Sequence, residues 1–127
     1  MFDHVALPVR DLAASARFYS IVLAPLGFDQ ITDTPELVEF GSLSLGSGEP
    51  VTPPLHFAFL ARTRAEVDAF HRAGVEAGYR DNGPPGIREY APDYYAAYLL
   101  DPDGHNVEAV YRDPATRALW SWIRWDP

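Results

Sequence analysis

Two histidines and a glutamate carry the strongest chemical signal in the sequence. His4 and His56 stand 52 residues apart, and Glu108 follows His56 at the same interval. The chain has no Cys, so thiolate nucleophiles, disulfides and zinc knuckles are excluded, and imidazoles and carboxylates are the only strong metal ligands on offer. Two imidazoles and one carboxylate on one rigid surface form a facial set that holds a divalent ion and leaves positions open for substrate and for water or oxygen. So long an interval is no local ligand signature, and a lone strand His or Glu is more often a packed or solvated side chain. What lifts these three above that reading is a repeat in the chain.

Laying the segment from Asp3 over the segment from Leu55 aligns His4 with His56, Ala6 with Ala58, Arg10 with Arg62, Ala13 with Ala65 and Phe18 with Phe70. After one deletion Gly27 meets Gly78 and Phe28 meets Tyr79. Each half opens on an alternating run, with Val5, Leu7 and Val9 on one side and His4 and Ala6 on the other, and then Leu55 to Ala61 in the second half. A helix follows each run. Asp11 is a good N-cap, Leu12, Ala16, Tyr19 and Leu23 keep helical spacing, and Pro25 with Gly27 stops the turn. In the second half Thr63 and Glu66 form a capping box, Val67 and Phe70 face inward, and Gly78 ends the helix. Shorter extended runs come next, over 28–32, 37–40 and 43–45, and then over 87–90, 95–100 and 106–111. The unit is βαβββ, present twice: module one over 1–46, a Gly, Ser and Pro linker over 47–54, module two over 55–112, and an aromatic tail over 113–127. The stretch DNGPPG at 81–86 reads as a loop and DPDG at 101–104 as a tight turn.

Closing that turn over 101–104 predicts pairs of Leu100 with His105, Leu99 with Asn106, Ala97 with Glu108 and Tyr95 with Val110. Val107, Ala109 and Tyr98 then pack on the helices, and Glu108 shares the opposite, concave face with Tyr95. In both opening strands the apolar alternates must meet the helix, which sends His4 and His56 to that concave face as well. Tyr95 is therefore the candidate general acid or hydrogen-bond donor beside Glu108. Arg88 and Tyr90, on the strand after the 81–86 loop, are candidates to hold an anionic substrate. His105 should face solvent or the convex side, and His71 reads as structural.

The 127 residues, 47% hydrophobic and 22% charged, fit one globular domain, with seven Tyr, seven Phe and three Trp as bulky core material. A formal charge of −8 makes nucleic acid and anionic lipid poor partners and suits a cationic ligand. No transmembrane run and no signal segment is evident, so a cytoplasmic location is expected. Leu119, Trp120, Trp122, Ile123 and Trp125 in the tail need cover, either as a helix on the sheet or subunit contact or as a lid. Open strand edges and this tail predict a homodimer.

The segments DHVALPVRDLAASARFY, LHFAF and DPDGHNVEAV resemble the vicinal oxygen chelate superfamily, also called the glyoxalase, bleomycin-resistance and extradiol dioxygenase superfamily, across 3–112. The resemblance implies an α+β fold in which two βαβββ modules form an open eight-stranded half-barrel around a small site. It also implies metal ligands at His4, His56 and Glu108, on which a divalent ion chelates neighbouring oxygens of a small-molecule substrate. Nitrogen and oxygen donors favour Fe, Mn, Ni or Zn. Lyase, dioxygenase and transfer chemistry all fit; the alternative is a non-catalytic protein that sequesters a small molecule as bleomycin-resistance proteins do. Where glyoxalase I-like members carry a fourth ligand, this chain has Ser44, and Glu39 on the neighbouring strand is the inward carboxylate that could substitute or contact substrate.

Overall fold

A computed structural model describes residues 2–116; the expected covering helix or lid at Trp120 to Trp125 lies outside the described residues. Module one runs β1 (Val5–Val9), α1 (Leu12–Leu23), a 3-10 turn (Ala24–Leu26), β2 (Gln30–Asp33), β3 (Leu37–Phe40) and β4 (Leu43–Ser47). Module two repeats it with β5 (His56–Leu60), α2 (Arg64–Glu76), β6 (Arg80–Ile87), β7 (Tyr95–Leu100) and β8 (Asn106–Tyr111). The sheets have matching orders, β1-β4-β3-β2 and β5-β8-β7-β6, with a parallel pair at β1/β4 and at β5/β8. Among the described residues no strand pairing joins the two sheets, so the eight strands form two four-stranded sheets within one chain.

Local chemistry sets the helix ends. The Asp11 carboxylate accepts from the Ala14 amide at 3.0 Å and starts α1. Gly27, at φ 84°, takes the left-handed cap that follows Pro25. At α2 the Thr63 hydroxyl accepts from the Glu66 amide at 3.1 Å, while Glu66 reaches past the cap to the Arg62 amide at 2.6 Å. The capping box is thus offset by one residue, because the Arg62 guanidinium also binds the Glu66 carboxylate.

One core spans both modules, and Tyr19 of α1 is its junction. Its fully buried ring neighbours Phe40 of module one and Phe57 and Phe59 of module two. Its hydroxyl donates to Asp101 at 2.6 Å, in the turn between β7 and β8. The other Asp101 oxygen accepts from the amides of Asp103 and His105, both at 2.9 Å, so one carboxylate shapes the turn and ties it to α1. Burial and the Asp101 charge push the Tyr19 phenol far up, which keeps it a donor.

Two expectations change and a third is narrowed. The hairpin pairs Leu100 with Asn106, Leu99 with Val107, Tyr98 with Glu108 and Ala97 with Ala109, one residue away from the expected register. The cause is the turn: Asp101 pairs with His105 across a three-residue loop, with Gly104 left-handed at φ 85°. A one-residue shift moves every β7 side chain to the other face. Tyr98 therefore shares Glu108's face, and Tyr95 packs on the helix side. Second, 81–86 is not a loop but most of β6, and the chain leaves the sheet after Ile87, so Arg88 and Tyr90 follow a strand instead of forming one. As the edge strand, β6 tolerates Pro84 and Pro85, and register shifts flank Gly83. Third, of the two placements expected for His105 the structure takes the convex, helix side: it is fully buried beside Phe57, and its Nδ1 accepts from the Leu55 amide at 2.9 Å.

Tyr19→Phe keeps the ring and removes one donor from the nearly buried Asp101 carboxylate. Stability should fall by about 1.5–3 kcal/mol in urea unfolding, the usual loss for a hydrogen bond to a charged group. A loss below about 0.5 kcal/mol would mean that the two turn amides satisfy Asp101 unaided.

Candidate functional site

The alternation along β5 turns Phe57 and Phe59 into the core and leaves His56, Ala58 and Leu60 on the opposite face. Parallel pairing of Ala58 with Glu108, and antiparallel pairing of Glu108 with Tyr98, put Glu108 at the centre of that face. Its carboxylate is 1% exposed, yet it lies on the side away from the helices. His56 Nε2 lies 2.7 Å from Glu108 Oε2, and the Tyr94 hydroxyl makes a very short hydrogen bond to Oε1. Tyr94 reaches over the face because residues 88–94 fold back across it, closed by the Arg88 amide donating to the Tyr94 carbonyl at 2.8 Å. Ala96, Tyr98 and Val110, packed under Tyr94, form a small second apolar cluster there.

Tyr98 completes the group. Its ring meets His56 edge-on at 6.0 Å, and its hydroxyl is buried with no hydrogen-bond partner among the described residues. Burial and then the Glu108 charge push its phenol up to about 12. Burial, the bond to Glu108 and that same charge push Tyr94 up further. Both phenols thus stay protonated donors at neutral pH. Beside them an open recess of about 440 Å³ is lined by His56, Asn82, Gly83, Arg88, Tyr90, Tyr98 and Asn106.

Module one offers a second polar face. Ala6, Ser44 and Glu39 stand in register across β1, β4 and β3, with His4 just ahead of β1. Glu39 accepts from the Thr32 hydroxyl at 2.6 Å and the Ser44 hydroxyl at 3.0 Å, and these bonds, aided by the nearby His4, hold its carboxyl below the usual range. The His4 imidazole is largely exposed and contacts Asp3 at 2.8 Å. Ser44 thus occupies in module one the place of Glu108 in module two, and Glu39 the place of Tyr98.

Of the expected ligands the structure brings together His56 and Glu108. His4 stands apart, and among the described residues no group of three or more His, Asp or Glu side chains is placed to hold a metal ion. The two that meet are nitrogen and oxygen donors of the kind a divalent ion takes, but at 2.7 Å they are hydrogen-bonded to each other, closer than the roughly 2.8–3.1 Å between neighbouring ligands bonded at about 2.0–2.2 Å, so that bond has to open to admit an ion. The buried Tyr98 hydroxyl beside them makes no full hydrogen bond among the described residues and lies close enough to Glu108 to interact with it.

Tyr95 is a correction. Its hydroxyl donates to Asp68 of α2 at 2.5 Å and its ring lies under Arg64, on the side opposite Glu108. Arg88 and Tyr90 do reach the recess by way of the 88–94 segment, and Glu39 stays with His4 in module one. His71 pairs with Asp81 at 2.9 Å, away from the site. Sequence reasoning missed Tyr98 and Tyr94. The three-residue hairpin loop that DPDG favours would have turned Tyr98 toward Glu108, whereas nothing local marks the fold-back of Tyr94.

Comparison with known proteins agrees with this architecture. A glyoxalase/bleomycin resistance protein from Albidiferax ferrireducens T118 is 32% identical, with 89% of this chain and 99% of that one covered and a TM-score of 0.72. FosX, the genomically encoded fosfomycin resistance protein of Listeria monocytogenes, shares the fold at 20% identity, covering 92% and 97% of the two chains with a TM-score of 0.69. So does a lactoylglutathione lyase from Agrobacterium tumefaciens, at 24% identity, 87% and 92% coverage and a TM-score of 0.66. A search of curated proteins found no match. The family model for the Glyoxalase/Bleomycin resistance protein/Dioxygenase superfamily matches residues 1–109, and this chain belongs to that superfamily.

Proposed function

We propose that the protein is a divalent-metal-dependent enzyme acting on a small molecule with two neighbouring oxygen donors, and that a homodimer supplies its centre: His56 and Glu108 from one copy, His4 from module one of the other. The observation that carries this reading is the buried Glu108 carboxylate, held by His56 and Tyr94 with the unpartnered Tyr98 phenol next to it. A divalent ion held there supplies Lewis-acid polarisation of the substrate oxygens. Tyr94 fixes the carboxylate's orientation, as partners behind a metal ligand do. Tyr98, kept protonated, is the donor facing a substrate oxygen, the role the sequence suggested for Tyr95. Glu39, ionised and braced by two hydroxyls, accompanies His4 to the same centre and supplies a carboxylate that Ser44 cannot. Tyr90 borders the substrate. The ion is Fe, Mn, Ni or Zn, all suited to nitrogen and oxygen donors. Two proteins sharing the fold are named for lactoylglutathione lyase and for fosfomycin resistance, and lyase chemistry is one reaction the proposed centre would suit. No helix among the described residues is long and apolar enough to cross a membrane. A cytoplasmic location is part of the proposal.

One observation favours a second reading, a non-catalytic small-molecule binder. Between the modules lies a mostly apolar pocket of about 280 Å³, bordered by Val5, Phe28, Phe40, Phe57, Phe59 and Leu60. Shape and apolar lining suit capture of a small apolar compound without any ion. Metal content of protein purified without an affinity tag or chelator separates the two readings.

Glu108→Ala and His4→Ala should each weaken Mn(II) or Ni(II) binding at least 100-fold in calorimetric titration, since each removes a direct ligand. Mixing the two variants after unfolding and refolding should restore tight binding at about a quarter of the sites, because half of the dimers are mixed and each of those holds one intact centre. No recovery in the mixture would refute the shared centre. Tyr94→Phe, which removes only the bond behind Glu108, should lower metal affinity by about 10- to 100-fold; unchanged affinity would show that Tyr94 has no orienting role.

A further inference from the structure

We propose that the recess beside His56 is an anion subsite built on Arg88, which takes the carboxylate, phosphate or phosphonate group of a small substrate. Only the orientation of that substrate rests on the proposed function; the subsite can be tested without metal.

The Arg88 guanidinium is fixed before any ligand arrives. It donates to the Pro84 carbonyl at 2.6 Å and more loosely to the Ile87 carbonyl at 3.5 Å, and it lies 5.3 Å from the centre of the Tyr98 ring. Those bonds use two of the five N–H donors of a guanidinium, which leaves the rest for a ligand, on a side chain that borders the recess. A planar fork held in this way loses little freedom on gripping a planar or tetrahedral oxyanion.

The backbone beneath it is shaped for this. A Cβ on Gly86 would come within 2.9 Å of Arg88 Nη1. One on Gly83, which sits at φ 153°, would meet the Tyr98 ring at 2.7 Å and Arg88 Nη2 at 3.4 Å. The Gly-Pro-Pro-Gly run that spoils β6 as a regular strand thereby lets the guanidinium and the Tyr98 ring lie against it. Across the recess the Asn82 amide donates to the Asn106 side-chain carbonyl at 3.0 Å, which leaves the Asn106 amide as a further donor.

Charge sharpens the inference. At −8 the chain as a whole repels anions, so a local, rigid cation is the means of accepting one. Among the residues lining the recess Arg88 is the permanent cation, and the nearby Glu108 carboxylate, which does not line it, is hydrogen-bonded to His56 and Tyr94. An anion here accords with the anionic substrate expected at Arg88 and Tyr90, where the net charge by itself suits a cationic ligand.

Titration of the full-length protein with inorganic phosphate, methylphosphonate and acetate in separate calorimetric runs tests this directly. Saturable binding of at least one probe in the millimolar range or tighter is expected, weakened at least about tenfold in Arg88→Ala. Arg88→Lys, which keeps the charge and the stem but loses the fork, should fall between the two, and Gly86→Ala should weaken binding by displacing the guanidinium. The preferred probe identifies the anionic group. Mn(II) affinity should be the same in Arg88→Ala as in the natural chain. Failure of all three probes to bind, or equal binding by Arg88→Ala, overturns the subsite. Anion binding that depends on Arg88 in a protein that takes up no Mn(II) would leave the subsite standing and refute the metalloenzyme reading instead.

Discussion

A carboxylate with 1% of its surface exposed, in mid-strand on the side of a sheet away from its helices, is the constraint around which module two is built. Left alone, the Glu108 charge would cost several kcal/mol to bury. Its oxygens therefore need donors, and they come from elements far apart in sequence: His56 on β5, opposite a different strand partner, and Tyr94 on a segment that leaves the sheet at Ile87 and returns. The 88–94 fold-back thus has a physical reason, since without it one carboxylate oxygen would face only the recess. That same fold-back delivers Arg88 and Tyr90 to the site. Burial of one acid organises the His56–Glu108 pair, the Tyr94 phenol and the Arg88 guanidinium together.

The two modules share a plan and differ in what they carry. At the place of Glu108 module one has Ser44, and at the place of Tyr98 it has Glu39, so its face is an open, braced carboxylate beside an exposed His4. Neither face is a complete metal centre. What joins the modules is their helix sides, through Tyr19, its aromatic neighbours and Asp101, which leaves both polar faces free. Stability rests on the shared core, and the polar groups of the candidate site lie on the faces outside it. Under the proposed function each face is one half of a centre that a second copy completes.

Much of this was legible from residue order because the repeat constrained it. The alignment of His4 with His56 placed both opening strands, and Asp11, Thr63 and Glu66 marked the helix starts that the structure uses. Local rules failed where a one-residue choice or a tertiary contact decided. Reading DPDG as a four-residue turn instead of a three-residue loop shifted the register by one and exchanged Tyr98 for Tyr95. Gly and Pro content argued for a loop at 81–86, but an edge strand needs only half of its hydrogen bonds and tolerates both. His105 takes the convex side, one of its two expected placements, and what no local pattern signals is its acceptance from the Leu55 amide, 50 residues away.

Separation of stable core from chemical face explains how small changes can retune such a site. Leu7, Val9, Val107 and Ala109 point into the core and are fully or nearly buried, whereas Ala6, Ala58 and Leu60, one residue away along β1 and β5, face out and contribute little to it. Substitution at Ala58 or Leu60 reshapes the apolar pocket between the modules at small cost in folding free energy. Glu108 is the exception, being outward and yet buried. Removing its carboxylate leaves Tyr94 and His56 to find new partners, and removing either of those leaves a buried charge short of a donor, so these three positions are energetically coupled and cannot be changed one at a time without loss. The Arg88 side chain stands outside that coupled set, tied to carbonyls of β6 and to the Tyr98 ring. Ligand preference can therefore shift at Arg88 while the His56–Glu108 pair stays intact.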